Sequence, residues 1–327
     1  MIKLIIQIPC YNEVETLPAV LADLPAAIPG VDCIETLVID DGSTDGTAAI
    51  AAKLSVTHVV RHIGNKGLAR TFQTGLDACL RLGADVIVNT DGDNQYPGRF
   101  IPDLVAPILR QEADLVIGNR QTGNIEHFTP LKKLLQSCGS WVVRAASGTR
   151  VPDAPSGFRA YSREAALRLN VLTDYTYTLE TIIQAGKKGL KVTSVPIQVN
   201  PQFRESRLIH NNWSYVKRQA ATILRLYAFY EPLRTFFYIS APCFAVGLFL
   251  LGRIAYYYLI GDQGIGRHLQ SLFVGGTAVV VGALIAILGI LADLSAADRR
   301  LTEETLYRLK KMESDAAATR PPPSPAE

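Results

Sequence analysis

No two cysteines in this chain have the spacing of a metal or redox motif. Cys10, Cys33, Cys79, Cys138 and Cys243 are odd in number and form no CxxC. With no histidine cluster nearby, a zinc site and a disulfide framework are both set aside, and reduced, mostly buried thiols are the expectation. A strong charge of one sign is missing too: 33 Lys and Arg face 30 Asp and Glu, a net charge of +3. No basic stripe with interleaved aromatics runs through the first half, so nucleic acid is not expected as a partner. The glycine-rich stretch Gly64-Asn65-Lys66-Gly67 lacks GxGxxG spacing and the GK[ST] ending, against a dinucleotide site or a P-loop. A glycine-hinged helix start is the better reading there, with Lys66 a candidate neighbour of a ligand. Finally, Met1 passes straight into a strand-like run without signal-peptide architecture, which predicts a cytoplasmic first domain.

What is present is uneven. Hydrophobic residues make up 48% of 327 and charged residues 19%, with most of the apolar excess beyond residue 235. Before residue 200, apolar runs at Ile2–Ile8, Thr36–Ile39, Val59–Val60, Val86–Val88 and Leu115–Ile117 alternate with helical patterns. Those patterns lie near Glu15–Ala27, Asp45–Lys53, Leu68–Leu82 and Arg99–Arg110. Alternation of this kind predicts an α/β domain on a mainly parallel sheet, closed by a last strand at Val192–Val199.

Ligands of such sheets bind beyond the carboxyl ends of the strands, and the polar runs fall there. Asp91-Gly92-Asp93 follows the fourth strand; residues two apart on an extended chain share a side, so both carboxylates face one ligand. Such a pair suits a hard divalent cation bound to a diphosphate, while the bland alternative is a solvated turn. Gly92 lets the backbone bend and leaves room for a substrate. Asp40-Asp41-Gly42-Ser43 follows the second strand. Ser43 or Thr44 is placed to cap the next helix, and one of the two aspartates to accept hydrogen bonds from a base or ribose. Arg120, after the fifth strand, suits a diphosphate through its planar fork, with a surface arginine as the equal alternative. Lys132 and Lys133 open an expected helix to Ala146, as phosphate contacts or solvated charge. Asp153-Ala154-Pro155-Ser156-Gly157 reads as a tight loop entering a strand, with Asp153 aimed at substrate, and Glu180 as a first-turn helix charge.

Beyond residue 205 the pattern changes. Between Ser206 and Arg234, apolar and aromatic residues recur at helical spacing among Arg207, Lys217, Arg218 and Arg225, as in helices lying in a membrane interface, with a helix packed on the first domain as the alternative. Neither Thr235–Gly252 nor Leu269–Ala292 holds a charge. A bilayer crossing needs roughly 20 such residues, so two transmembrane helices are expected near 235–260 and 269–292. Arg253 can snorkel among Tyr256, Tyr257 and Tyr258. Lys and Arg in both flanks predict that the α/β domain and both termini lie in the cytoplasm, as a multi-pass protein of the inner (plasma) membrane. The expected limits are therefore 1–205, 206–234, 235–293 and a 294–327 tail, helical and then Pro-rich, with Glu304 and Arg308 paired at i,i+4.

Four pieces in this order resemble the inverting family 2 glycosyltransferases of GT-A fold, a Rossmann-like mixed sheet. They are Pro9-Cys10-Tyr11-Asn12-Glu13, Asp40 to Thr47, Asp91 to Gln95, and Asp153 to Arg159. With the hairpin, the chain is similar to the polyprenyl-phosphate glycosyltransferases. That resemblance implies that Pro9, Tyr11, Glu13 and Asp41 hold the nucleoside. It implies that Asp91, Asp93 and Gln95 hold Mg2+ or Mn2+ with the diphosphate, and that Arg120 touches the donor phosphates. Asp153 would be the candidate base, or would orient sugar or acceptor, and the acceptor would be a polyprenyl phosphate. The segment relatives carry as R-x-x-G-x-S-K stands here as Pro201 to Arg207, leaving Arg204, Arg207 and Lys132 as candidates for the acceptor phosphate. A homo-oligomer is compatible, as in some relatives. The rivals are a family 2 enzyme with another lipid or glycan acceptor and a non-catalytic membrane scaffold. Gln219 is not followed by the Q-x-x-R-W motif of processive synthases, and both aspartates of the turn are present.

Overall fold

A computed structural model describes residues 1–54, 56–121, 144, 147–149, 151–171, 177–201, 225, 227–260 and 269–318. Contacts divide the chain into two compact units, Met1–Gln219 with Glu303–Glu327, and Ala220–Thr302. This division follows packing, whereas the limits read from the sequence follow hydropathy.

The first unit is built on a sheet that, among the described residues, has seven strands in the order β3-β2-β1-β4-β6-β5-β7. The strands are β1 (Lys3–Cys10), β2 (Cys33–Asp40), β3 (His58–Arg61), β4 (Val86–Asn89), β5 (Leu115–Asn119), β6 (Arg159–Ser162) and β7 (Val192–Pro196). All pairs are parallel except those of β6, which runs antiparallel to β4 and β5. The sheet is therefore mixed, as the resemblance implied. β1 and β4 are buried along nearly their whole length, because helices cover both faces of an α/β sheet. From β1 the chain steps outward through β2 and β3, then returns to place β4 on the other side of β1. Ligands of open sheets bind at such a switch point.

The helices of this unit are α1 (Leu17–Ala22), α2 (Thr47–Lys53), α3 (Leu68–Arg81), α4 (Ile101–Leu109), α5 (Arg163–Arg168) and α6 (Tyr177–Lys187). α1 is shorter than its apolar pattern. Pro18 fixes its first turn, and Pro25 follows its end at Asp23, where proline cannot continue a helix. α3 lies against the sheet at Gly75, where a Cβ would stand 2.5 Å from Gln7 Oε1 and 2.7 Å from Ile39 Cδ1. Beneath it Gln7 Nε2 donates to Asn89 Oδ1 at 2.9 Å, joining β1 to β4 in the interior. Phe72 of α3 stacks on Tyr177 of α6, centroids 3.9 Å apart.

In the second unit lie α7 (Pro232–Ile260) and most of α8 (Leu269–Ala318). Both are long and apolar enough to cross a membrane. Gly275, Gly282 and Gly289 of α8, at heptad spacing, face Leu250, Phe244 and Phe236 of α7, so the two helices pack closely as a hairpin. Phe237, Leu248 and Phe249 of α7 and Phe273, Leu284 and Leu288 of α8 point outward. Arg253 lies 6.0 Å over the Tyr257 ring.

Gly75→Ala tests the α3–sheet contact. Overpacking there is expected to lower the stability of the first unit by about 1–3 kcal/mol, read by urea denaturation of the full chain in detergent. Unchanged stability contradicts the close approach.

Candidate active site

The loops that follow β1, β2, β4 and β5 and the one that precedes β6 meet at one edge of the sheet. Pro9 is buried at the end of β1, and Tyr11 beyond it is 40% exposed. Asn12, at φ 55°, donates its N–H to Ser43 Oγ at 2.9 Å, and its Oδ1 accepts the Thr44 N–H at 2.9 Å. These bonds correct the expected capping: Ser43 and Thr44 tie the β1 and β2 loops together. Helix α2 starts later, at Thr47, whose N–H is accepted by Asp45 Oδ1. Glu13 donates its N–H to Thr47 Oγ1 at 2.9 Å and accepts at Oε2 from Thr16 Oγ1 at 2.7 Å. The same hydroxyl lies 2.7 Å from Gly92 O, so the β1 loop is laced to the Asp-Gly-Asp turn as well.

Asp40 and Asp41 are both buried and both spoken for. Asp40 accepts the Ser43 N–H at Oδ1 and pairs through Oδ2 with Arg61 Nε at 3.0 Å. Asp41 Oδ1 bonds His62 Nδ1 at 2.7 Å and the Lys66 N–H at 2.8 Å; its Oδ2 accepts the Gly67 N–H at 2.9 Å. Lys66 therefore meets Asp41 through its backbone, while its side chain is exposed. Adjacent aspartates ending a buried strand thus serve to fold two loops onto β2, whatever else they touch.

The turn after β4 is a tight one. Asp93 Oδ1 accepts the Gln95 N–H at 3.0 Å, and Asn94 lies at φ 60°. Asn200, after β7, donates to Gln95 O and Asn94 O, both at 2.9 Å. Gly92 packs on Cys10, whose Sγ would be 2.9 Å from a Cβ there. Desolvation in the cleft, and then the charge of Asp93, push the Asp91 carboxyl up to about 7, opposed by Arg120 and Arg159. A cation beside the two carboxylates reverses that penalty.

On the opposite wall, Arg120 holds Asp153 by a bidentate fork, Nε to Oδ2 at 2.8 Å and Nη2 to Oδ1 at 2.9 Å. The Arg120 N–H also donates to Oδ2. The side chains are only 13% and 2% exposed, so the surface-arginine alternative falls. Gly157 lies flat against the turn: a Cβ there would stand 2.9 Å from both Asp91 Oδ2 and Tyr177 Oη. Its peptide is clamped from several sides. Its N–H donates to Tyr96 Oη at 3.3 Å, and its carbonyl accepts Asn89 Nδ2 at 2.9 Å. Asn89 Nδ2 also reaches Tyr177 Oη at 3.0 Å. Burial pushes the Tyr96 phenol up to about 12, keeping it neutral.

Sequence reasoning missed Arg159. It is fully buried and donates to Ser156 O, Ala154 O, Thr178 O and Thr181 Oγ1 at 2.7–2.9 Å, pinning the Asp153–Gly157 loop to α6. Its signal was an arginine inside the otherwise apolar run Phe158-Arg159-Ala160-Tyr161. Asn89, Tyr96, Tyr177 and Asn200 were missed as well; only their distant partners give them meaning. Glu180 is the first-turn acidic residue of α6 that the sequence predicts; it is fully buried, with Gln184 Nε2 3.3 Å from its Oε1. Lys132, Arg204, Arg207, most of the helix expected to Ala146 and most of the interfacial stretch 206–234 lie outside the described residues.

Comparison with known proteins agrees with this architecture. The family model described as Glycosyl transferase family 2 matches residues 5–169. An undecaprenyl-phosphate mannosyltransferase of Micrococcus luteus is 31% identical over 212 residues, 62% of this chain and 85% of that protein. A UDP-N-acetylglucosamine--dolichyl-phosphate N-acetylglucosaminyltransferase of Methanococcus voltae is 30% identical over 216 residues, 58% of this chain and 83% of that one. Among solved structures, glucosyl-3-phosphoglycerate synthase from Mycobacterium tuberculosis, crystallised with Mn2+, UDP-glucose and phosphoglyceric acid, superposes with a TM-score of 0.54. It is 23% identical and covers 69% of this chain and 80% of that one, a likeness of fold.

Asp153→Asn removes the counter-charge of a buried arginine and is expected to destabilise the first unit by about 3–5 kcal/mol. Asp93→Asn keeps the acceptor for the Gln95 N–H and relieves repulsion with Asp91, so its denaturation midpoint stays level or rises. The reverse order in denaturant melts contradicts the pairing described.

Proposed function

The chain belongs to glycosyl transferase family 2, and from that premise we propose that it transfers a hexose from a nucleoside-diphosphate sugar to a polyprenyl phosphate, with inversion, at the cytoplasmic face of a membrane. The observation that carries this reading is the Asp91–Asp93 pair, set against Gly157 and facing the Arg120–Asp153 fork, in a chain that also has two helices of membrane-spanning length. Support for the acceptor comes from relatives named for undecaprenyl and dolichyl phosphate. One of those names carries mannose and the other N-acetylglucosamine, so the sugar is left as a hexose of UDP-glucose or GDP-mannose type.

A divalent cation fits the residues present. Asp91 and Asp93 repel each other in a desolvated cleft, and hard oxygen donors suit Mg2+ or Mn2+. In this reading Asp91, Asp93 and Gln95 hold the ion. When bound, it supplies electrostatic stabilisation to the departing nucleoside diphosphate. Pro9, Tyr11, Glu13, Asp40, Asp41 and Lys66 line the nucleoside end, and Gly92 keeps the turn thin beside the diphosphate. Arg120, steadied by Asp153 through Nε and Nη2, presents the rest of its fork to the donor phosphates and meets charge as it develops.

Asp153 serves as an anchor in this scheme. Both of its oxygens are engaged by Arg120, and a lipid phosphate with a second pKa of about 6 is already largely anionic near neutral pH. Such a nucleophile needs little help in losing a proton. Lys132, Arg204 and Arg207 are proposed to meet its headgroup.

The test incubates the full chain in polyprenyl-phosphate vesicles with labelled UDP-glucose, GDP-mannose and related donors, with and without EDTA. One donor is expected to give an EDTA-sensitive glycolipid. Asp93→Ala is expected to lower turnover about 10²–10³-fold, and Asp153→Asn only about tenfold per folded molecule. No glycolipid with any donor contradicts the proposed function; equal, near-total loss in both variants contradicts the anchoring role.

A further inference from the structure

The end of α8 is more than a solvated tail. Glu303 to Ala318 fall in the first unit, and their contacts there are made largely by partly buried side chains. Lys310 Nζ pairs with Asp77 Oδ1 of α3 at 2.8 Å, the lysine side chain only 13% exposed. Lys188 Nζ meets Glu303 Oε2 at 2.9 Å, and Arg163 meets Asp315 at 3.0 Å. Tyr307 Oη lies 3.2 Å from Glu164 Oε2, with the Arg168 guanidinium 4.8 Å over its ring. Ser314, 1% exposed, donates to Leu80 O at 2.9 Å, taking up a carbonyl in the last turn of α3. Glu304 and Arg308, paired as the sequence predicts, form the exposed face of the same helix.

Two of these contacts, Lys310–Asp77 and Ser314–Leu80, grip the C-terminal part of α3, while the other end grips Asp41. Asp77 Oδ1 also accepts Gln73 Nε2 at 2.9 Å. The neighbouring Thr74 Oγ1 lies 3.1 Å from His62 Nε2, and His62 Nδ1 lies 2.7 Å from Asp41 Oδ1. The Lys66 and Gly67 amides that lead into α3 donate to the same carboxylate. A helix pinned at both ends on a close-packed sheet transmits displacement rather than absorbing it.

We propose that Lys310 and Asp77 are positioning residues for the donor: they fix α3 along its axis and so hold Asp41 and the Lys66–Gly67 amides in place. The proposal rests on the reading that Asp41 borders the nucleoside. It makes the last turns of α8 a working part of the catalytic unit.

The experiment uses the full chain in detergent and compares wild type, Lys310→Glu, Asp77→Lys, the combined exchange and Lys310→Met. Two quantities are read: KM and kcat for the nucleotide sugar, and hydrogen exchange at the Lys66 and Gly67 amides without ligand. Each charge reversal is expected to raise KM about fivefold while kcat changes less than about twofold, and to speed exchange at both amides about tenfold. Lys310→Met, which keeps the apolar stem, shifts both in the same direction by less, and the combined exchange restores both. Unchanged exchange at Lys66 and Gly67 in the single variants overturns the proposal, as does an exchanged pair that fails to restore it. If wild type transfers no sugar, the functional reading fails and amide exchange alone decides the positioning role.

Discussion

Burial of the Asp91 carboxylate, with the charge of Asp93 beside it, is the constraint around which the loops at this edge of the sheet are built. Two carboxylates one residue apart in a desolvated cleft raise the free energy of the folded chain, and Asp91 records this in a carboxyl pushed up to about 7. The surrounding structure holds the pair in place against that cost. Thr16 and Cys10 fix Gly92 from the β1 side, Asn200 fixes Asn94 and Gln95 from the β7 side, and the Gly157 peptide closes the face toward β6. A buried carboxylate with a like charge beside it, braced by its neighbours, is characteristic of a functional site.

The opposite wall solves a different electrostatic problem. Asp153 and Arg120 neutralise each other, and Arg159 is met by oxygens of carbonyls and a hydroxyl. Fixed charges are thus arranged around the carboxylate pair without collapsing onto it. Arg120 and Arg159 both act to lower the Asp91 pKa, yet their hydrogen bonds go to Asp153 and to the oxygens around α6. An ion pair on Asp91 itself would have taken one of the two carboxylates the turn offers to a cation.

Much of the fold was legible because it is local. The strand ends at Cys10, Asp40, Asn89 and Asn119 lie one or two residues past the ends of the apolar runs, and α3 fits its pattern to within a residue. Period-two and period-3.6 patterns report burial directly. Polar residues just past buried strands made the turn, the β2 end and Arg120 stand out, but position alone did not separate a ligand contact from a loop brace: Asp40, Asp41 and Arg120 all have structural partners. What escaped depends on long-range partners: Asn89 reaching Gly157 and Tyr177, Asn200 bracing the turn, Arg159 caged by α6, and Ser314 meeting Leu80 across most of the chain. Nothing in the local pattern of a charged helix such as Glu303–Ala318 distinguishes a solvated face from a docked one.

In the proposed reading, the carboxylate pair receives a divalent cation together with a nucleoside diphosphate. Mn2+ titration of the full chain, followed by electron paramagnetic resonance with and without UDP or GDP, measures this without turnover. Binding is expected to tighten at least about tenfold when the diphosphate is present and to be lost in Asp91→Asn and Asp93→Ala. Mn2+ binding that is indifferent to both the nucleotide and the two substitutions would contradict it.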